Sequence, residues 1–168
     1  MGKKTTVTVI ITIVILIIAA WVCTSTYTSA RDQYLEGHDK SKALAMEKGK
    51  LSSIDWIETF YGQRKYHVLS GTTTQNKKVY VWIPQTKKNE SVIVKKQSSG
   101  ITKEQAIANV KKEYDPVEIV SVKLGMDEEI PIWEVKSKSQ SGRFTYDYVD
   151  FNNGEIIKHM ALKNTEDS

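Results

Sequence analysis

The chain is poor in the residues from which most active sites and covalent frames are built. One cysteine, Cys23, occurs in 168 residues. No disulfide can form within the chain, and no thiol nucleophile or cysteine zinc cluster is available outside the apolar run that holds Cys23. A eukaryotic secreted domain of this size would often carry disulfides, so their lack suits a bacterial surface protein. The three histidines, His38, His67 and His159, are scattered, with no His-x-x-x-His or His-Glu-x-x-His pair to start a zinc site. No Gly-x-Ser-x-Gly elbow, no Ser-x-x-Lys set in a fitting context and no glycine-rich phosphate loop is present. Together these gaps point away from hydrolases, metalloenzymes and nucleotide-binding proteins.

Charge is also missing, from Thr5 to Ala30. The run "VTVIITIVILIIAAWVC" lies within this stretch, and the 21 residues from Val7 to Tyr27 would span roughly 31 Å as a helix, close to the hydrocarbon core of a bilayer. Lys3 and Lys4 precede it, which places the N-terminus in the cytoplasm and the remainder outside. A cleaved signal peptide would have a shorter apolar region and a small-x-small site, for which only the weak "TSA" at 28–30 is available. Bulky Val22 before Cys23 fits lipoprotein processing poorly. The expectation is a single-pass cell-membrane protein: a cytoplasmic tip at 1–4, a transmembrane helix at 5–27 and extracytoplasmic modules beyond.

The net charge of +4 hides an asymmetry, because residues 31–100 sum to +6 and residues 101–168 to −4. A basic membrane-proximal half would lie against anionic lipid or wall polymer; equally, two opposite surfaces would help the halves pack. The acidic distal half and the extracytoplasmic topology disfavour nucleic acid. Lys77-Lys78, Lys87-Lys88 and Lys95-Lys96 fall at turns or edges, where lysine guards against edge pairing.

After the apolar run, "ARDQYLEGHDKSKALAMEKGKL" reads as a stalk helix whose Tyr34, Leu44 and Leu51 form a weak stripe. Strands follow at 54–61, 65–71, 78–84 and 91–96, rich in β-branched and aromatic residues. Val79, Val81 and Ile83 alternate with Tyr80 and Trp82, so both faces of that strand need cover. "SSG" at 98–100 breaks the pattern. A helix then starts at Thr102 with Gln105 completing a capping box, carries Ala106, Ile107, Val110 and Tyr114 on one face, and stops before Pro116. Further strands are expected at 117–126, 130–137, 143–151 and 155–161.

The halves repeat: Tyr66 matches Trp133 at an offset of 67, and Tyr80 and Trp82 match Tyr146 and Tyr148 at 66. Each copy is small for an independent core, so the two should pack together. This gives an α+β protein of two tandem modules, each a helix on a small antiparallel sheet: a first module at 28–100, a second at 101–163 and a tail at 164–168.

The second module resembles a PepSY domain in its capped helix, its Trp133-Glu134-Val135 strand and its closing hairpin, marked by Tyr146, Val149, Asp150, Asn153, Gly154, Glu155 and Ile156. With the basic tip, the single span and a degenerate first copy lacking the Gly-Glu-Ile hairpin, the whole chain resembles the cell wall elongation regulator TseB-like family of Gram-positive bacteria. The resemblance implies two PepSY/cystatin-like modules, no enzymatic activity, no cofactor and regulation of an envelope enzyme, a penicillin-binding protein being the suggested partner. The alternative it implies is an inhibitor or modulator of a surface peptidase.

Residues 144–160, "FTYDYVDFNNGEIIKHM", bring Asp147, Asp150, Glu155 and His159 close in sequence. Strand alternation puts Asp147 and Asp150 on opposite faces, so they cannot act as an acid–base pair. "DFNNGE" fails the calcium-loop pattern, because its glycine is fifth and no glutamate stands at position twelve. Asn153-Gly154 reads instead as the positive-φ pair of a tight hairpin turn. A hydrolase site between modules, drawing on His67, His159, Asp147 and Asp150, is the enzymatic rival. Among the aromatics, Tyr80, Trp82 and Tyr148 are candidates for a partner-contact surface, with core packing as the competing role.

Overall fold

The computed structural model describes residue 2 and residues 12–22, 37–86 and 91–162. Residues 12–22 form a helix (α1) with exposed side chains, Ile13 to Ile18 and Trp21 among them. Among the described residues no helix is long and apolar enough to cross a membrane. The expected span at 5–27 extends past α1 on both sides, and those flanks, with Cys23, Tyr34, Lys87-Lys88 and the tail at 164–168, lie outside the described residues.

The described residues from His38 onward make one compact unit. It contains helix α2 (His38–Lys48), strands β1 (Leu51–Tyr61), β2 (Lys65–Thr73), β3 (Lys78–Pro84) and β4 (Ile93–Lys96), helix α3 (Lys103–Tyr114), and strands β5 (Glu118–Asp127), β6 (Ile130–Lys138), β7 (Phe144–Asp150) and β8 (Ile156–Ala161). The strands form two four-stranded antiparallel sheets, β1-β2-β3-β4 and β5-β6-β7-β8. The expected α+β architecture of helices on small antiparallel sheets is what is found.

The repeat is visible in the register. Val68 faces Trp82 in the first sheet, and Glu134 faces Tyr148 in the second. Both strands of the pair are thus displaced by the same 66 residues. The matching of Tyr66 with Trp133 is corrected by one residue: Trp133, opposite Val149, stands where His67 stands opposite Ile83. Aromatic character misled the alignment, whereas ladder pairing fixes it.

The stalk-helix expectation is also corrected. Helix α2 is bounded by Gly37 and Lys50, both at positive φ, and Leu51 already begins β1. It buries His38, Ser41 and Ala45 rather than an apolar stripe. These rest over Leu69, Val79, Val81 and Ile83, the odd-numbered side of the first sheet. The even-numbered side, with Val68 and Trp82, enters a larger core shared with Ala106, Val110, Trp133, Val135, Val149 and Phe151 of the second half. Both apolar faces of β3 are therefore covered, one by a helix and one by the other module.

Helix α3 begins with the expected capping box: Thr102 accepts from the Gln105 N–H and Gln105 accepts from the Thr102 N–H. Ala106 and Val110 carry its packing, while Tyr114 remains partly exposed. Two glycines permit the halves to close. A Cβ on Gly125 would lie 2.5 Å from the Phe60 ring, and one on Gly100 would lie 2.3 Å from the Phe151 ring. Each aromatic ring thus sits directly on a glycine backbone.

Candidate partner-contact surface and buried polar clusters

The three aromatics proposed for partner contact fall in different environments. Trp82 has no exposed surface and donates its Nε1–H to the Gly125 carbonyl at 2.8 Å. It therefore ties the sheets together and cannot meet a partner. Tyr80 is half-buried, in edge-to-face contact with Trp82, Trp133 and Phe151. Tyr148 keeps 8 % exposure under the Lys158 ammonium, which lies 5.0 Å from its ring centre. The core role absorbs Trp82 and most of Tyr148. Alternation and aromaticity do not distinguish a face against solvent from one against a second sheet.

Tyr80 lines a groove of about 410 Å³ with Trp56, Glu58, Lys103, Leu124 and Trp133. Strands β1 and β5 touch at one end of this cleft, where Phe60 covers Gly125. Trp133 adds an Nε1–H bond to the Ile101 carbonyl at 3.0 Å.

Two polar clusters lie apart from it. Beneath α2, the Ser41 hydroxyl meets His67 Nδ1 at 2.7 Å, His38 Nε2 meets Thr59 Oγ1 at 2.8 Å, and the two imidazoles touch edge to face. Burial, with His38 and Lys65 nearby, pushes His67 down to about 4. Burial, then Lys42 and Lys65, lowers His38 as well. A serine beside a histidine resembles half of a nucleophilic pair, but Ser41 and His67 are sealed from solvent and no substrate can reach them.

The second cluster joins two residues of the enzymatic rival, Asp147 and His159. Asp147, fully buried on β7, faces His159 on β8, with Oδ1 2.5 Å from Nδ1. The His159 ring stacks on Tyr114 of α3 at 4.1 Å between ring centres. Burial raises the Asp147 carboxyl above the usual carboxylate range, and the hydrogen bond and charge of His159 oppose this. Asp147 Oδ2 has no hydrogen-bond partner among the described residues. The nearby hydroxyls of Ser137 and Thr145 bond each other at 2.7 Å inside the protein.

Asp150 and Glu155 stand elsewhere. Asp150 Oδ1 accepts from the Asn152 N–H, and its backbone N–H donates to the Glu155 carbonyl at 2.8 Å. The expected two-residue Asn153-Gly154 turn is corrected to a wider loop. Only Gly154 takes a positive φ, +81°, while Asn153 caps the Glu155 N–H and Asn109 of α3 donates to the Gly154 carbonyl. Asp150 is therefore a turn-former, separate from the Asp147–His159 pair. His67 and His159 belong to different sheets and sit in separate clusters.

A relative from Bacillus subtilis (strain 168), "Probable cell wall elongation regulator TseB", is 32 % identical over 161 residues, covering 96 % of this chain and 99 % of its own. The chain belongs to the TseB-like family. The model of the cell wall elongation regulator TseB-like domain matches residues 40–84, and that of the peptidase propeptide and YPEB (PepSY) domain matches residues 100–160. Among solved structures, the YpmB protein from Bacillus subtilis superposes with a TM-score of 0.72 at 31 % identity, covering 76 % of this chain and 98 % of that one. The PepSY resemblance read from the Trp-Glu-Val strand and the closing hairpin, and the TseB-like resemblance of the whole chain, therefore both stand.

Proposed function

We propose that the protein regulates cell-wall elongation from the outer face of the membrane, by binding a penicillin-binding transpeptidase and without chemistry of its own. The observation that carries this reading is the end-to-end similarity to the Bacillus subtilis relative, which its name describes as a probable regulator of that process. The uncharged run from Thr5 to Ala30 supplies the anchor, with the N-terminus in the cytoplasm. Confining regulator and enzyme to one membrane raises their effective concentration, so a modest interface suffices. Co-purification from mildly solubilised membranes tests the idea: the full chain should retain a penicillin-binding protein, and its repeated absence would overturn the proposal.

The PepSY match at residues 100–160 supports a second reading, modulation of a surface peptidase. Adding the purified protein to the host's surface peptidases separates the two, since a transpeptidase regulator leaves peptide cleavage unchanged.

A further inference from the structure

Helix α2 is held to the first sheet without an apolar stripe. Its fully inward side chains are His38, Ser41 and Ala45, so a single methyl group and two polar side chains stand where a surface helix ordinarily carries several large apolar ones. Leu44 is half-buried, and Met46 is exposed. The side chains beneath it, Leu69, Val79, Val81 and Ile83, form a cluster separate from the large core between the two sheets. Losing α2 would leave that core in place, and with it the Trp82 bond to Gly125.

Both polar contacts of α2 run through an imidazole. Ser41 Oγ meets His67 Nδ1 at 2.7 Å, and His38 Nε2 meets Thr59 Oγ1 at 2.8 Å, with the two ring centres 4.6 Å apart. His67 is fully buried, and its Nε2 has no hydrogen-bond partner among the described residues. No carboxylate among the described residues bonds His67. From α2 itself, Lys42 approaches, and Asp39 is turned to solvent and joined to Lys42 at 3.4 Å. From β2 comes Lys65. β1 offers the uncharged Ile57 and Thr59; its Asp55 accepts from Ser70, and its Glu58 lines the groove of Tyr80. β3 offers Val79, Val81 and Ile83, and Gln85 beyond it donates to Ser41 Oγ at 3.2 Å. A proton added to His67 therefore makes a cation beside a second imidazole and an ammonium group, sealed from water.

We propose that α2 is a proton-operated latch, docked at neutral pH and released in acid, whose release uncovers Leu69, Val79, Val81 and Ile83. The docked helix holds His67 at about 4 against an ordinary 6.5, and lowers His38 in the same direction. The docked form thus binds fewer protons than the released one, and acid favours release. Few apolar contacts place α2 at the low-stability end from which moving elements are drawn. Release adds the eleven residues of α2 to the connection between the N-terminal segment and β1. On the reading of that segment as a membrane anchor, the sheets then reach farther from the membrane.

Hydrogen exchange read by mass spectrometry on the full-length protein in detergent tests the latch, with rates corrected for the intrinsic effect of pH. Between pH 7.5 and 5 the amides of α2 should lose protection roughly thirtyfold, the factor set by a ring that moves from about 4 to 6.5 on release. Amides of β2, β3 and α3 should keep theirs. His67→Asn should remove the pH dependence. Ser41→Asp should also remove it, because it gives His67 the counter-charge it lacks, as Asp147 does for His159. Equal loss in α2, β2 and β3 would mean that the whole unit unfolds in acid, and would overturn the latch. Unchanged protection of α2 would overturn it too, as would a loss that persists in both variants. No partner takes part in the measurement, so each of these results leaves the proposed function standing.

Discussion

Lys158 on β8 and Asp127 on β5 reach across the width of the second sheet to meet at 2.6 Å, and Tyr148 lies beneath the lysine. The bridge spans from one edge strand to the other, over the row that begins at Glu134. Asp127 is almost fully buried while the lysine remains partly exposed. Lys158→Ala should therefore destabilise the protein by about 2 kcal/mol, mainly by stranding the buried carboxylate. Asp127→Asn should cost less than Lys158→Ala, because it leaves no buried charge. Chemical denaturation of both variants and their double mutant checks the order.

His159 and Asp147 give a second prediction. The folded Asp147 carboxyl holds its proton more tightly than the unfolded one, so its contribution favours the fold at low pH and is lost as pH rises through the folded value. Asp147→Asn should remove this loss and flatten the stability profile just above the ordinary carboxylate range. His159→Ala should steepen it, since the histidine that opposes the shift is gone. Urea midpoints measured from pH 4 to 7 decide between these outcomes.

The imidazole under α2 behaves in the opposite sense. His67 is lowered to about 4 in the fold against an ordinary value of 6.5, so the unfolded chain binds the extra proton between these limits. Stability should fall as pH drops through that window, by about 2 kcal/mol from pH 6.5 to 5. His67→Asn, which retains a polar atom near Ser41, should remove most of this slope. An unchanged slope would show that His67 is not the titrating group.

Gly125 is sterically committed. A methyl group there would sit 2.5 Å from the Phe60 ring, so Gly125→Ala should cost about 2 kcal/mol through overpacking. Phe60→Leu in the same chain should recover part of that loss, although Phe60→Leu alone destabilises. A thermal-melt double-mutant cycle would reveal the coupling as non-additivity.

Much of the fold was legible because the strands are locally consistent. "KVYVWIP" alternates with period two and is bounded by turn residues, and β3 spans Lys78–Pro84 as read. The capping box at Thr102 set the start of α3 for the same reason. What escaped depends on register or on long-range burial. A two-residue turn at Asn153-Gly154 would have placed Asp147 opposite Met160. The wider loop shifts the ladder by one residue and brings His159 there instead. Helix α2 hid its packed side because His38 and Ser41 are polar, and partners such as Thr59 and His67, 21 and 26 residues on, make burial tolerable. Trp82 looked like a contact residue for a related reason: nothing near it in sequence announces Gly125, 43 residues away.

The hydrogen bond from Trp82 to Gly125 has a further consequence for how the duplicated halves live together. Each half is the other's shield from water, so neither can be excised without baring an aromatic face. Cleavage near Gly100 should leave two fragments that stay associated until denatured, rather than two free domains.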